Sequence, residues 1–286
     1  MSAAPGAPAR GPMADRPAAS TAARLGAAIA SPVVSLATMI ALWYVLIALA
    51  NFNTLVTKNP FDVVQYLVTG ADAAANRLVL GRQLVTTLRD ASLGYVTGTI
   101  IATAVACLFV MFRGLEQTLM PVVMVLRTAP IVAMTPLITL LFGNGLPTVF
   151  VIGTIIVFFP SLVNVVFGLR SASPEAIDLM ASYGASRWEV LRMVQLPSAL
   201  PAFFASARIA VPSAIIGALV AEWLATGQGM GYQMLISSAT FDYAGLWTSV
   251  VVLTVVSIVI YGFVGVIETL VLGRVMPTAT SDEVTA

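Results

Sequence analysis

Four charged side chains fall inside or at the edge of long apolar runs: Arg127, Arg208, Glu222 and Glu268. An ionised group at mid-bilayer costs on the order of 2.5–3.5 kcal/mol on insertion scales, so such groups normally face a protein interior or a wet path. Arg127 and Arg208 lie a few turns into their runs, about 10 Å inward at about 1.5 Å per residue. Two guanidiniums at one depth can line an inner gate or attract an anion. They can equally snorkel to headgroups or bond helix carbonyls. Glu222, beside Trp223, stands near the opposite end of its run, where it shapes the mouth of a path or serves as a cap that orients a lid. Glu268, shortly before Arg274, reads as a member of an interfacial ion pair.

Prolines mark the second candidate site. Pro130 and Pro136 remove backbone donors from one apolar run. Carbonyls freed around Leu126 and Val132 can then face a cavity, and the facing part of a later run, with Pro212 and Ser213, completes a candidate substrate path. A kink that serves packing alone is the equal alternative. Other chemistry is scarce. There is no histidine, which removes the commonest general base and metal ligand. The single Cys107 sits in an apolar run as a small hydrophobe and has no partner for an intrachain disulfide. The glycine-rich stretch 226–231 lacks the Gly-Lys-Ser/Thr run of a phosphate loop and reads as a bend that lets the chain re-enter the outer face. With no nucleotide motif anywhere, any ATP consumed is hydrolysed by another polypeptide. No cofactor or metal is expected on this chain, and an enzyme embedded in the membrane would have little to work with.

The elements that must position these residues are long and apolar. Of 286 residues, 59% are hydrophobic and 9% charged, against about a quarter charged in ordinary soluble chains. Continuous apolar runs of about 20 residues, without alternation, predict an all-α polytopic membrane protein, because the backbone must satisfy itself in lipid. About six spans are expected, at 32–50, 91–112, 119–142, 147–167, 202–225 and 248–272, within a membrane domain covering 31–274. Residues 1–30, rich in Ala, Pro and Gly, read as a disordered cytoplasmic tail, and 275–286 as a second one. Pro60 to Leu67 reads as an amphipathic helix at the outer surface, and Arg113–Glu116 as a short inner turn. The segments expected inside carry Arg10, Arg16, Arg24, Arg113, Arg170, Arg187, Arg192 and Arg274, and those expected outside carry Lys58, Arg77, Arg82 and Arg89. The excess places both termini, and the polar stretch 170–201, in the cytoplasm. A net charge of +1 implies no nucleic-acid partner.

One polar stretch, 170–201, interrupts the spans. Ser173-Pro174-Glu175 is a helix start, with a capping hydroxyl, proline in the first turn and an acid beside it. Gly184 suits the left-handed residue that ends this helix. Ser186 and Glu189 form a capping box, and the helix they open is expected to stop at Leu196-Pro197. The product is a stiff elbow of two short helices around a glycine turn. An amphipathic loop lying on the membrane face is the plainer alternative; a DNA-binding helix-turn-helix is disfavoured by few basic residues and close flanking spans.

The elbow resembles the cytoplasmic signature of permeases of bacterial ABC importers, with Gly184 as its glycine and Leu196-Pro197 as its downstream Leu-Pro. The name-giving Glu-Ala-Ala triplet is replaced by Asp178-Leu179-Met180. The continuation from Pro201 to Gln233 resembles the nitrate/sulfonate/taurine branch. The resemblance covers roughly 32–272. It implies a type I ABC importer permease fold with cytoplasmic coupling helices, a homodimer enclosing the path, a cytoplasmic ATPase dimer on the elbows and an extracytoplasmic substrate-binding protein. On that reading Met180, Tyr183, Trp188 and Leu191 face the ATPase groove, Arg187, Glu189 and Arg192 form the polar rim, Asp178 caps the pivot or pairs with an ATPase cation, and Glu175, Gly184, Leu196 and Pro197 complete the coupling set. The path candidates are Arg127, Pro130, Pro136, Arg208, Ser213 and Glu222. The implied substrate is a small anion such as a sulfonate, taurine or nitrate; a neutral thiamine-precursor pyrimidine, or a stand-alone secondary transporter, are the alternatives.

Overall fold

The structure is a computed structural model that describes residues 21–49, 53 and 55–275. The tail expected at 275–286 and the first part of that at 1–30 therefore lie outside the described residues, apart from their inner edges. The described chain is helical and falls into two units, residues 1–60 and 61–286. In the first, α1 runs Thr21–Leu49 and carries an apolar stretch over Ala37–Leu49.

The second unit opens with the short helix α2 (Pro60–Val64), extended by a π turn over Gln65–Thr69. Then come α3 (Ala73–Met111), α4 (Arg113–Arg127), α5 (Ile131–Phe142) and α6 (Leu146–Arg170). The elbow follows as α7 (Pro174–Ser182) and α8 (Arg187–Val190), which passes through a π turn at Leu191–Gln195 into α9 (Leu196–Ala221). A third π turn, Glu222–Thr226, leads to α10 (Gly229–Ala239) and α11 (Tyr243–Val275). Four described helices are long and apolar enough to cross a membrane, and the bent pair α4–α5 makes a fifth. That is an all-α polytopic membrane fold.

Several boundaries differ from the sequence expectation for physical reasons. The helix that carries the second span starts at Ala73, well before the apolar run from 91, because the polar first half of α3 is held by local bonds. Asn76 donates to the Tyr66 carbonyl at 3.1 Å, and Arg77 to that of Leu67 at 2.6 Å. Arg113–Glu116 is not a turn; Phe112 alone makes the corner, and α4 starts immediately after it. The third span is broken into two helices at 101°. The break falls at Pro130, which precedes the first turn of α5, whereas Pro136 sits inside α5 without ending it. The Leu126 carbonyl is not free, since it accepts the Ala129 N–H at 3.1 Å. Pro197 does not stop its helix. The π turn before it re-registers the ladder, with Leu196 N–H donating to the Leu191 carbonyl, so the helix passes the proline as one element from Arg187 to Thr226.

Three helices meet at glycines. A Cβ built on Gly94 of α3 would stand 2.7 Å from Gly153 Cα of α6, and one on Gly217 of α9 would stand 3.1 Å from the same atom. In lipid, where apolar side chains gain nothing by leaving solvent, such close backbone contact carries helix association. Thr97 and Thr154 hydroxyls bond at 2.6 Å one turn along. A second close approach, Gly168 of α6 to Ala202 of α9, lies nearer the elbow. Around these contacts sit three apolar clusters: Phe109, Leu162, Leu169 and Leu191 at the elbow end; Val157, Ala210 and Met230 with Leu253 further along; and Ile138, Val149, Ile152 and Ala221 beneath α5. Away from the elbow, Tyr66 donates to Asp242 at 3.2 Å while Asp242 accepts the Gly245 N–H at 2.9 Å at the start of α11. Burial first, and Asp242 second, push the Tyr66 phenol up to about 12.

Gly153→Leu is expected to abolish the close approach and reduce stability by about 1–3 kcal/mol or more, with loss of monodisperse protein on detergent gel filtration. Gly81→Ala, where an added Cβ meets nothing within 4 Å, should behave as the parent chain.

Candidate functional site: the elbow and the charged residues in the spans

The caps of the elbow form as its sequence implies. Ser173 Oγ accepts the Ala176 N–H at 3.1 Å, opening α7. Gly184 has φ +77°, a left-handed conformation that a side chain would strain, and it closes α7 with Ala185 N–H on the Met180 carbonyl. Ser186 N–H donates to Glu189 Oε2 at 2.6 Å while Glu189 N–H donates to Ser186 Oγ at 3.3 Å, completing the capping box. Short hydrogen-bonded ends on both helices make this a stiff projection.

The projecting surface is apolar at its centre. Tyr183 is 83% exposed and Trp188 55% exposed, and Leu179 and Met193 of the same stretch are exposed as well. Met180 is half-buried, and Glu175 and Asp178 are exposed. Leu191 was expected on this surface but is 0% exposed, packed in the cluster with Phe109, Leu162 and Leu169. Leu196 packs against the same cluster and Pro197 is half-buried, so both anchor the elbow instead of displaying it. Leu179 and Met193 are the surface residues that sequence reasoning missed. Leu179 occupies a position of the departed triplet, and Met193 lies in the π turn, where helical periodicity shifts by one residue. Arg187, expected on the rim, donates to the Met111 carbonyl at 3.1 Å and so ties the elbow to the end of α3.

The charged residues of the spans do not form one site within the chain. Arg127 is exposed at the end of α4, next to the break at Pro130, and Pro136 is exposed on α5. Arg208, on α9, is not a free guanidinium: its Nε lies 3.0 Å from Glu268 Oε2 on α11, and its charge stands over the Tyr261 ring at 5.7 Å. Glu268 is thus an ion-pair member as expected, but its partner is Arg208. Ser213 donates to the carbonyl of Ile209 at 3.1 Å, a local helix bond. The arrangement bridges α9 and α11 and presents little free charge there.

Glu222 is 0% exposed and acts as a cap. Three successive N–H groups open α10, and each meets a side chain from elsewhere. Gly229 donates to Gln83 Oε1 at 2.8 Å, Met230 to Thr87 Oγ1 at 2.8 Å and Gly231 to Glu222 Oε2 at 2.7 Å. The glycines follow from this packing, because a Cβ on Gly229 would collide with the Glu222 carboxylate and one on Gly231 would stand 3.0 Å from it. Stretch 226–231 is therefore a bend whose left-handed Gly227 turns the chain back and whose helix start is fixed by α3 and Glu222. Glu222→Ala should leave the Gly231 N–H without an acceptor beside a void, lowering stability by about 2–4 kcal/mol, whereas Glu222→Gln retains most of it. Thermal unfolding of the detergent-solubilised protein checks the difference.

Comparison with known proteins agrees with this architecture. Residues 94–275 match the family described as binding-protein-dependent transport system inner membrane component. A probable ABC transporter permease protein of Haemophilus influenzae is 29% identical over 230 residues, covering 80% of this chain and 91% of its own length. A riboflavin transport system permease protein of Chloroflexus aurantiacus is 36% identical over 158 residues, 55% of this chain and 59% of that protein. A formylaminopyrimidine transport permease protein of Halalkalibacterium halodurans is 29% identical over 186 residues, 65% of this chain and 74% of that protein. Among solved structures, an amino acid ABC transporter with histidines shares the fold at a TM-score of 0.52 and 16% identity, covering 70% of this chain and 96% of that one. The chain belongs to the binding-protein-dependent transport system inner membrane component family, the multi-pass inner-membrane permease subunits of ABC transporters.

Proposed function

We propose that this chain is the membrane subunit of an ATP-driven importer, working as a homodimer with the substrate path between two copies. Permeases of this family work with an ATPase and a substrate-binding protein. Here the elbow docks in a groove of the cytoplasmic ATPase, both termini lie in the cytoplasm, and the extracytoplasmic binding protein delivers substrate to the far side. No cofactor is bound by this subunit, and ATP is used by its partner. The observation that carries the reading is the elbow surface: Tyr183 and Trp188 project from a doubly capped, stiff element with Leu179 and Met193 beside them. Exposed aromatic residues on a rigid mount are what a small, tight contact needs at its centre.

For substrate, two readings follow from the path residues. A small anion (sulfonate, taurine or nitrate) draws support from Arg127, which has no ion-pair partner among the described residues. Relatives named as an aliphatic sulfonates transport permease of Bacillus subtilis and a nitrate import permease of Synechococcus elongatus accompany that reading. A neutral heterocycle draws support from the Arg208–Glu268 pair, which cancels the second of the two charges on which the anion reading relied. The riboflavin and formylaminopyrimidine relatives accompany it. The pairing favours the heterocycle.

Tyr183→Ala and Trp188→Ala are each expected to weaken ATPase association by about 2 kcal/mol, roughly 30-fold, without lowering the thermal stability of the permease. Co-purification and a binding isotherm with the ATPase check this; unchanged association in both variants would remove the elbow as the docking element. Calorimetry of the cognate binding protein with nitrate, taurine, riboflavin and formylaminopyrimidine separates the two substrate readings.

A further inference from the structure

We infer that the Glu116–Arg170 ion pair is the strut through which motion of the elbow reaches the broken helix α4–α5, so that both are positioning residues for transport. The inference rests on the elbow being the element an ATPase moves.

The geometry begins at the corner between α3 and α4, a single residue, Phe112. The elbow grips this corner at two points. At its start, Arg170, the last residue of α6, pairs through Nη2 with Glu116 Oε2 in the first turn of α4. At its middle, Arg187, the first residue of α8, donates to the Met111 carbonyl in the last turn of α3. A push on the elbow as one body is therefore felt on both sides of Phe112. The α3 side is held, because α3 is locked to α6 at Gly94 and Gly153. The α4 side is held far less. Glu116 is its one buried residue, and only Met120 and Val123 add partial packing against the elbow-end cluster.

Energetics favour a firm link. Glu116 is 7% exposed, so its carboxylate is costly without a partner. Arg170 is half-exposed and ends α6, so its side chain hands to α4 whatever displacement the elbow gives that helix end. Beyond the pair, α4 runs to the 101° break at Thr128–Pro130. Past the break, α5 belongs to a different cluster, with Ile138 against Val149, Ile152 and Ala221. The two halves of the broken span thus lie on separate packing units joined by a hydrogen-bonded bend, with the Thr128 N–H on the Val125 carbonyl and the Ala129 N–H on that of Leu126. Displacing α4 by its N-terminal turn therefore pulls on α5 through that bend, and α5 carries the exposed Pro136, Leu137, Leu140 and Leu141.

The test uses the assembled transporter with its ATPase, Cys107 replaced by Ala, and a spin label on either Ser182 of the elbow or Leu140 of α5. Pulsed dipolar spectroscopy then reads the distance between equivalent labels in the two copies, before and after trapping with ATP and vanadate. In the parent both distances are expected to shift. In Glu116→Gln/Arg170→Met, which leaves no buried charge unpaired, the Ser182 shift should persist and the Leu140 shift should be lost. In Glu116→Arg/Arg170→Glu, the Leu140 shift should return. If the neutral double variant does not fold, Glu116→Gln alone should show a reduced Leu140 shift. A Leu140 shift of parental size in the neutral variants, or no return on charge exchange, overturns the strut while leaving the docking role intact. A Ser182 distance that ignores nucleotide in the parent overturns the docking role, and the strut with it.

Discussion

The structure depends on the contact of three backbones at Gly153. Nothing apolar is gained by hiding side chains from lipid, so α3, α6 and α9 need another reason to stay together. Glycines at 94, 153 and 217 supply it by letting main chains approach until dispersion contacts and the Thr97–Thr154 hydrogen bond take over. The three helices so joined form a body with little freedom at its centre. Everything that looks functional is attached to its ends: the elbow at one, the Glu222 cap and α10 at the other.

Much of the elbow was legible in the sequence because caps are local. Ser173, Gly184 and the Ser186–Glu189 box each act within a few residues, and short-range chemistry survives whatever the rest of the fold does. The branch of the family and the all-helical class were legible for a similar reason, since apolar runs and a short motif carry both. Leu191 shows where locality fails. The resemblance puts it on the groove face, but it packs in the core with Phe109, Leu162 and Leu169.

The illegible parts all involve bonds between distant residues. Hydropathy reads the first half of α3 as polar and therefore outside the helix. It cannot see that Asn76 and Arg77 bond loop carbonyls, or that Gln83 and Thr87 await the start of α10. Arg208 looked like a free charge because its partner lies far ahead in the chain. Prolines were read as breaks, yet of Pro130, Pro136 and Pro197 only Pro130 ends a helix. The other two are carried because in lipid a broken ladder exposes more unsatisfied groups than one missing donor does. Glycines at 229 and 231 signalled a bend correctly, but their cause, the Glu222 carboxylate packed against them, is a tertiary fact.

The length of α3 joins these observations. Its 39 residues span about 58 Å at 1.5 Å per residue, roughly twice the hydrocarbon thickness of a bilayer. A helix that long must project from the membrane, which is why its first turns can carry Arg77, Arg82 and Arg89. The projecting half holds the cap of α10 through Gln83 and Thr87, while its last turn holds the elbow through the Met111 carbonyl. One rigid rod thus references both ends of the molecule to each other. A rod fixed at its middle by Gly94 cannot itself carry a large relative motion, so displacement between the ends must pass through a jointed element. Among the described spans, the jointed one is α4–α5, and its joint is Pro130.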